Sequence, residues 1–198
     1  MKNLYIISGA NGAGKTTASY TILPEILDCK EYVNADEIAR GLSPFNPDSV
    51  NIQAGKLMLE RINNLISEDE NFSFETTLAS KSFVKHIEKA HSKGYTTKLV
   101  FFWLDSQELA IERVKCRVKE GGHDIPVDVI RRRYNRGLEN FFKIYKNHVN
   151  SWIFINNSGN PYKIIAEGTS NNEIVYNKNI WNNLNGIYND KRRNPERE

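Results

Sequence analysis

Ten residues near the N-terminus, SGANGAGKTT from Ser8 to Thr17, constrain this chain more than any other stretch. They contain Gly9-x4-Gly14-Lys15-Thr16, the spacing of a phosphate-binding loop, directly after the apolar run LYIIS (4–8) and before a helical pattern. Triphosphate oxygens need several converging N–H donors and a cation, with no side chain in the way. Glycines at 9, 12 and 14 let the backbone curl around the anion, the following helix N-terminus adds its dipole, and Lys15 reaches the outer phosphates. The nucleotide contacts therefore fall on Gly9, Asn11, Gly12, Ala13, Gly14, Lys15, Thr16 and Thr17. The Thr16 hydroxyl is the candidate Mg²⁺ ligand. The glycine spacing is not that of a dinucleotide fingerprint, which argues against NAD.

A phosphate loop requires a strand before it and a helix after it, and the rest of the chain continues that alternation. YVN (32–34), FSFETT (72–77), KLVFFWL (98–104) and WIFIN (152–156) have strand length and β-branched or aromatic bias. Several are apolar on both faces, as in a buried parallel sheet. Helical stripes lie between them. Val50, Ala54, Leu57, Ile62, Leu65 and Ile66 form one, after Asn46 as a cap; Ile130, Tyr134, Leu138, Phe141 and Tyr145 form another. The pattern predicts a three-layer α/β domain with right-handed crossovers. KIIAEG (163–168) and EIVYN (173–177) read as a last strand or hairpin, followed by a weak helix around Trp181–Tyr188. At 198 residues one domain is expected over 1–188, with 189–198 a charged, disordered tail. No apolar run approaches a membrane span, LYIIS is too short for a signal-peptide core, and two cysteines suit a reducing cytoplasm.

What happens to the phosphate depends on polar residues at strand ends. Asp36 follows YVN, and Arg40 lies one helical turn on. A carboxylate there accepts a proton from an attacking hydroxyl, or else it is simply a helix N-cap or first-turn acid. Glu75 ends FSFE and is followed by Thr76, Thr77 and Ser80. It either fixes substrate hydroxyls or metal-bound water, or belongs to a capping cluster. Asp105 with Glu108 reads as a capping arrangement. Arg113 and Arg117 precede the break KEGGHD, after which come Arg131, Arg132, Arg133 and Arg136. A helix–loop–helix over about 113–136 carrying these arginines is read as a lid that excludes water and stabilises charge on a transferring phosphoryl group. His123 reads as a surface loop residue; the other histidines have no ligand spacing, so no metal beyond Mg²⁺ is expected.

With Gly9–Thr16, NADEIAR, FETTLAS and RVKEGGHDIPVDVIRRRYNRGLENF in this order, the chain resembles the zeta toxin-like P-loop kinases over roughly residues 1–160. The resemblance implies a P-loop NTPase fold of the nucleoside/shikimate kinase type, with parallel strand order 2-3-1-4-5 and a helical lid. It also implies ATP and Mg²⁺ as cofactors, a sugar-nucleotide acceptor such as UDP-N-acetylglucosamine, and an antitoxin protein as partner. On it, Lys15 clamps phosphate, Asp36 deprotonates the acceptor hydroxyl, and Arg40, Glu75 and Thr77 contact substrate. Arg117 and one or more of Arg131, Arg132, Arg133 and Arg136 supply the lid arginines, with Arg133 assigned to catalysis and Arg136 to substrate. Two other classes compete. A nucleotide-dependent switch binding a protein partner needs no acceptor pocket, so Asp36 and Glu75 speak against it. An RNA or polynucleotide kinase is disfavoured by a formal charge of only +3 and no basic stripe interleaved with aromatics.

Overall fold

The computed structural model describes residues 1–26, 29–122 and 124–189; the expectations for His123 and for the tail beyond Asn189 lie outside them. The first strand, β1 (Lys2–Gly9), is buried over its last six residues because it runs between two neighbours, β3 (Phe72–Thr76) and β4 (Tyr95–Trp103), both parallel to it. β2 (Glu31–Val33) adds to β3, and β5 (Ser151–Asn156) adds to β4, again in parallel. The five strands thus stand in the order 2-3-1-4-5, and helices link them: α1 (Lys15–Ile26), α2 (Ala35–Leu42), α3 (Asn51–Ser67), α4 (Val84–Ser92), α5 (Gln107–Lys119) and α6 (Val127–Lys143). With right-handed crossovers this order sends α1 to one face and α3, α4 and α6 to the other.

The sheet does not stop at β5. β6 (Lys163–Thr169) and β7 (Glu173–Val175), on the stretches read as a last strand or hairpin, continue it antiparallel, so the five parallel strands belong to one mixed seven-stranded sheet. The reason is loop length: 157–162 is too short for a crossover helix, so the chain can only turn back. α7 (Lys178–Tyr188), capped by Asn177, then seats Trp181 among Phe141, Phe142, Trp152 and Phe154.

The α3 stripe shifts at one position and loses its expected cap. A 3-10 turn over Pro47–Val50 precedes α3 and leaves Val50 outside that helix, while Ala54, Ile62, Leu65 and Ile66 are buried as read. Met58, four residues from both Ala54 and Ile62, is buried in place of Leu57, which is partly exposed, and Asn46 makes no side-chain cap. The α6 stripe is buried as read, from Ile130 through Tyr145. Its Gly137 approaches the loop after β3 so closely that a Cβ there would stand 2.4 Å from the Thr77 carbonyl oxygen. Asn140 Nδ2 donates to Leu78 O at 2.7 Å and the Tyr145 hydroxyl to Ser80 O at 2.6 Å, so α6 and this loop are fastened together. Among the described residues no helix is long and apolar enough to cross a membrane.

Candidate active site

All five parallel strands end at one edge of the sheet, and the polar residues singled out above collect there. The loop from Gly9 to Gly14 curls through positive φ at Gly9, Gly12 and Gly14. At Gly9 the requirement is absolute, since a Cβ would lie 2.1 Å from Phe102 O on the neighbouring strand. Lys15 opens α1, is 6% exposed, and folds back so that Nζ donates to Ala10 O at 2.9 Å. Asn157, at the far end of β5, braces the loop by donating from Nδ2 to Ala13 O at 2.8 Å.

Glu75, at the end of β3, faces this loop. Its Oε1 lies 3.6 Å from Lys15 Nζ, and its Oε2 accepts from the Thr16 hydroxyl at 2.9 Å and from the Tyr32 hydroxyl at 2.5 Å. Asn34 Nδ2 donates to Tyr32 Oη at 3.0 Å, and Asn34 Oδ1 accepts from the Asp36 backbone N–H at 2.8 Å. A hydrogen-bonded chain thus runs Thr16–Glu75–Tyr32–Asn34–Asp36. Burial, with Glu75 beside it, pushes the Tyr32 phenol far up, so it stays a neutral donor. Asn34 is the N-cap of α2. The open choice at Asp36 is thereby narrowed: Asn34 does the capping, and the Asp36 side chain lines the site.

Two cavities meet at Asp36. One, of about 400 Å³, is lined by Asn11, Lys15, Asp36, Glu75, Thr77, Ser80 and Arg133 with an apolar wall from Met58, Leu59 and Phe83. The other, of about 290 Å³, lies over Thr16 and includes Asp36, Arg40 and Arg117. Burial lowers the Arg133 guanidinium's proton affinity while the Asp36 carboxylate works against that, so the two groups sense each other across the first cavity. Of the four arginines on α6, Arg133 is the one in the cavity. Arg131 instead pairs with Glu108 at 2.8 Å, and Arg132 and Arg136 are exposed; Arg136, expected at the substrate, lines neither cavity. Arg136 stands about one turn further along α6, exposed and beyond the residues that line the cavity. Arg40 lines the second cavity and bonds Glu37 at 3.3 Å; Thr17 is exposed on α1. Arg113 donates to Ser158 O at 2.9 Å.

A second capping assignment, after Asn46, fails. Ser106, not Asp105, caps α5 by accepting from Leu109 N–H at 3.1 Å, while Asp105 accepts from Asn156 Nδ2 at 2.6 Å and ties the ends of β4 and β5. Tyr32 and Asn157 escaped sequence reading because their partners lie far away in the chain, 43 residues for Tyr32 and 144 for Asn157. Tyr32→Phe removes a donor from Glu75 and an acceptor from Asn34. It is expected to lower unfolding free energy by about 1 kcal/mol in urea titrations, with kcat falling more than the KM for ATP. An unchanged kcat would show that the chain of bonds has no bearing on turnover.

Comparison with known proteins places the chain by family and by fold. An uncharacterized protein of Haemophilus influenzae is 29% identical over 126 residues, spanning 64% of this chain and 88% of that protein. The AvrRxo1-ORF1:AvrRxo1-ORF2 complex, solved with ATP, is 16% identical with a TM-score of 0.74, over 93% of this chain and 63% of that one. This chain therefore spans less than two thirds of that protein's length. The PezAT toxin–antitoxin system of Streptococcus pneumoniae gives a TM-score of 0.65 at 14% identity, over 96% of this chain and 80% of that one. At these identities the two structures show a shared fold. The model of the zeta toxin family matches residues 1–170, and the chain belongs to the zeta toxin family.

Proposed function

We propose that the protein is a Mg·ATP-dependent kinase that transfers the γ-phosphoryl group to a hydroxyl of a small molecule, a sugar nucleotide such as UDP-N-acetylglucosamine. The observation carrying this reading is the first cavity, where the P-loop lysine, Asp36, Glu75 and Arg133 share about 400 Å³ of space beside the phosphate loop. A switch or simple hydrolase needs no such acceptor space next to its phosphates. In this reading Asp36 takes the proton from the acceptor hydroxyl as its oxygen attacks in line. Lys15 and Arg133 face the charge on the transferring group, with Arg117 approaching from the cavity over Thr16. The helix–loop–helix of α5 and α6 acts as the lid. Because α6 is fastened to the 77–80 loop, closure is confined to the end of α5, the connecting loop and the first turn of α6.

The site fits Mg²⁺. Thr16 and Glu75 offer hard oxygens 2.9 Å apart, and among the described residues no cluster of three or more His, Cys, Asp or Glu comes together, so phosphates would complete the shell. The ion when bound supplies charge neutralisation at the phosphates. The solved relatives carry ATP in one case and belong to a toxin–antitoxin system in another, which supports ATP as donor and an antitoxin as partner.

Incubating the purified protein with Mg·ATP and a panel of hydroxyl acceptors, UDP-N-acetylglucosamine first, should yield a product heavier by one phosphoryl group in mass spectrometry. Transfer only to other acceptors would remove the sugar-nucleotide assignment; ATP hydrolysis with every acceptor left unmodified would remove the kinase reading.

A further inference from the structure

We propose that Gly55 sets the size of acceptor that the cavity beside the P-loop admits, an inference that rests on that cavity being the acceptor site. Glycine is the least favoured residue in a helix interior apart from proline, so a glycine in the second turn of α3 needs a reason. Gly137 in α6 has one, the close approach of Thr77 O. Gly55 does not: a Cβ built there meets nothing within 4 Å. Gly41 and Gly186 are equally open, but both stand in the last turn of their helices, where glycine is ordinary.

The space in front of Gly55 is the cavity itself. Ile52, Gly55 and Leu59 stand at i−3, i and i+4, one face of α3, and all three line it. A side chain at 55 therefore projects between Ile52 and Leu59 into the volume that the apolar wall shares with Asp36 and Arg133. The cavity over Thr16 does not include Gly55. Added bulk at 55 thus takes room from the acceptor while leaving the nucleotide side untouched. A missing side chain on this wall widens the range of acceptor groups that can lie flat against it. The residue is a specificity determinant by omission.

The test compares wild type with Gly55→Ala and Gly55→Leu on glycerol, gluconate, uridine and UDP-N-acetylglucosamine. In Gly55→Leu the KM for the best wild-type acceptor should rise at least about tenfold, the smallest acceptor should be least affected, and the KM for Mg·ATP should stay within about twofold. Gly55→Ala should raise the thermal unfolding midpoint, since alanine favours the helix and nothing obstructs its methyl, and should shift acceptor KM by less. Acceptor KM values in Gly55→Leu equal to wild type overturn the proposal. Ligand-observed NMR of the same compounds, with a non-hydrolysable ATP analogue bound, separates it from the kinase reading. Compounds that bind wild type without being phosphorylated, and are lost in Gly55→Leu, uphold Gly55 and remove the kinase. Compounds bound and phosphorylated equally by both proteins do the reverse, and a wild type that binds none of them overturns both.

Discussion

Asp36→Asn is expected to lower kcat for phosphoryl transfer by about 10²–10⁴ while leaving Mg·ATP affinity within about threefold of wild type. Asparagine keeps the shape of the side chain and its place in the first turn of α2, because Asn34 caps that helix through the Asp36 backbone rather than its carboxylate. What disappears is an anion able to take a proton, together with the charge that Arg133 faces across the cavity. The loss of a first-turn acid costs about 0.3–1 kcal/mol of helix stabilisation, too little to unfold a domain of this size. Calorimetric ATP binding and single-turnover product formation measured on the same preparation separate the two effects. Turnover close to wild type would sink Asp36 as the base and return it to the role of a helix-start acid.

Lys15→Ala is expected to abolish the stabilisation that Mg·ATP confers. For a ligand at about one hundred times its dissociation constant, that stabilisation is about 2.7 kcal/mol, so wild type should show a clear rise in unfolding temperature and the variant none. Physically, Lys15 is the cation of the loop, 6% exposed and shared between Ala10 O and Glu75. Taking it away removes the charge that phosphate replaces Glu75 in meeting. It also leaves the Glu75 carboxylate, only 10% exposed, with the Thr16 and Tyr32 hydroxyls as its remaining donors. The variant should therefore be less stable even without nucleotide, since an ion pair that loses one partner strands the other. A ligand-induced shift equal to that of wild type would show that the backbone amides bind phosphate unaided.

Much of the fold was legible because its signals are local. The runs at 4–8, 32–34, 72–77, 98–104 and 152–156 each fall on one of the five parallel strands, and buried parallel strands announce themselves as continuous apolar runs. β4 begins earlier than expected, at Tyr95, because its first residues alternate with polar ones. The α6 stripe was legible for the same reason as the strands, a period carried through seventeen residues. The α3 stripe was legible too at Ala54, Ile62, Leu65 and Ile66, and missed at Leu57, where the buried row runs through Met58 instead.

The site divides along the same line. Sequence by itself determined the phosphate loop, because its glycines and lysine act within one turn of chain and their spacing is their geometry. It also placed Asp36 and Glu75 at strand ends, since burial stops where the sheet does. Tertiary structure alone decided that Arg133 and not Arg136 enters the cavity. It alone joined Tyr32 to Glu75 and left Gly55 facing open space. Each of those outcomes depends on the rotation of a helix or on contacts between residues tens of positions apart. Such contacts are fixed by how the core packs, a property of the whole chain that no short stretch of it contains.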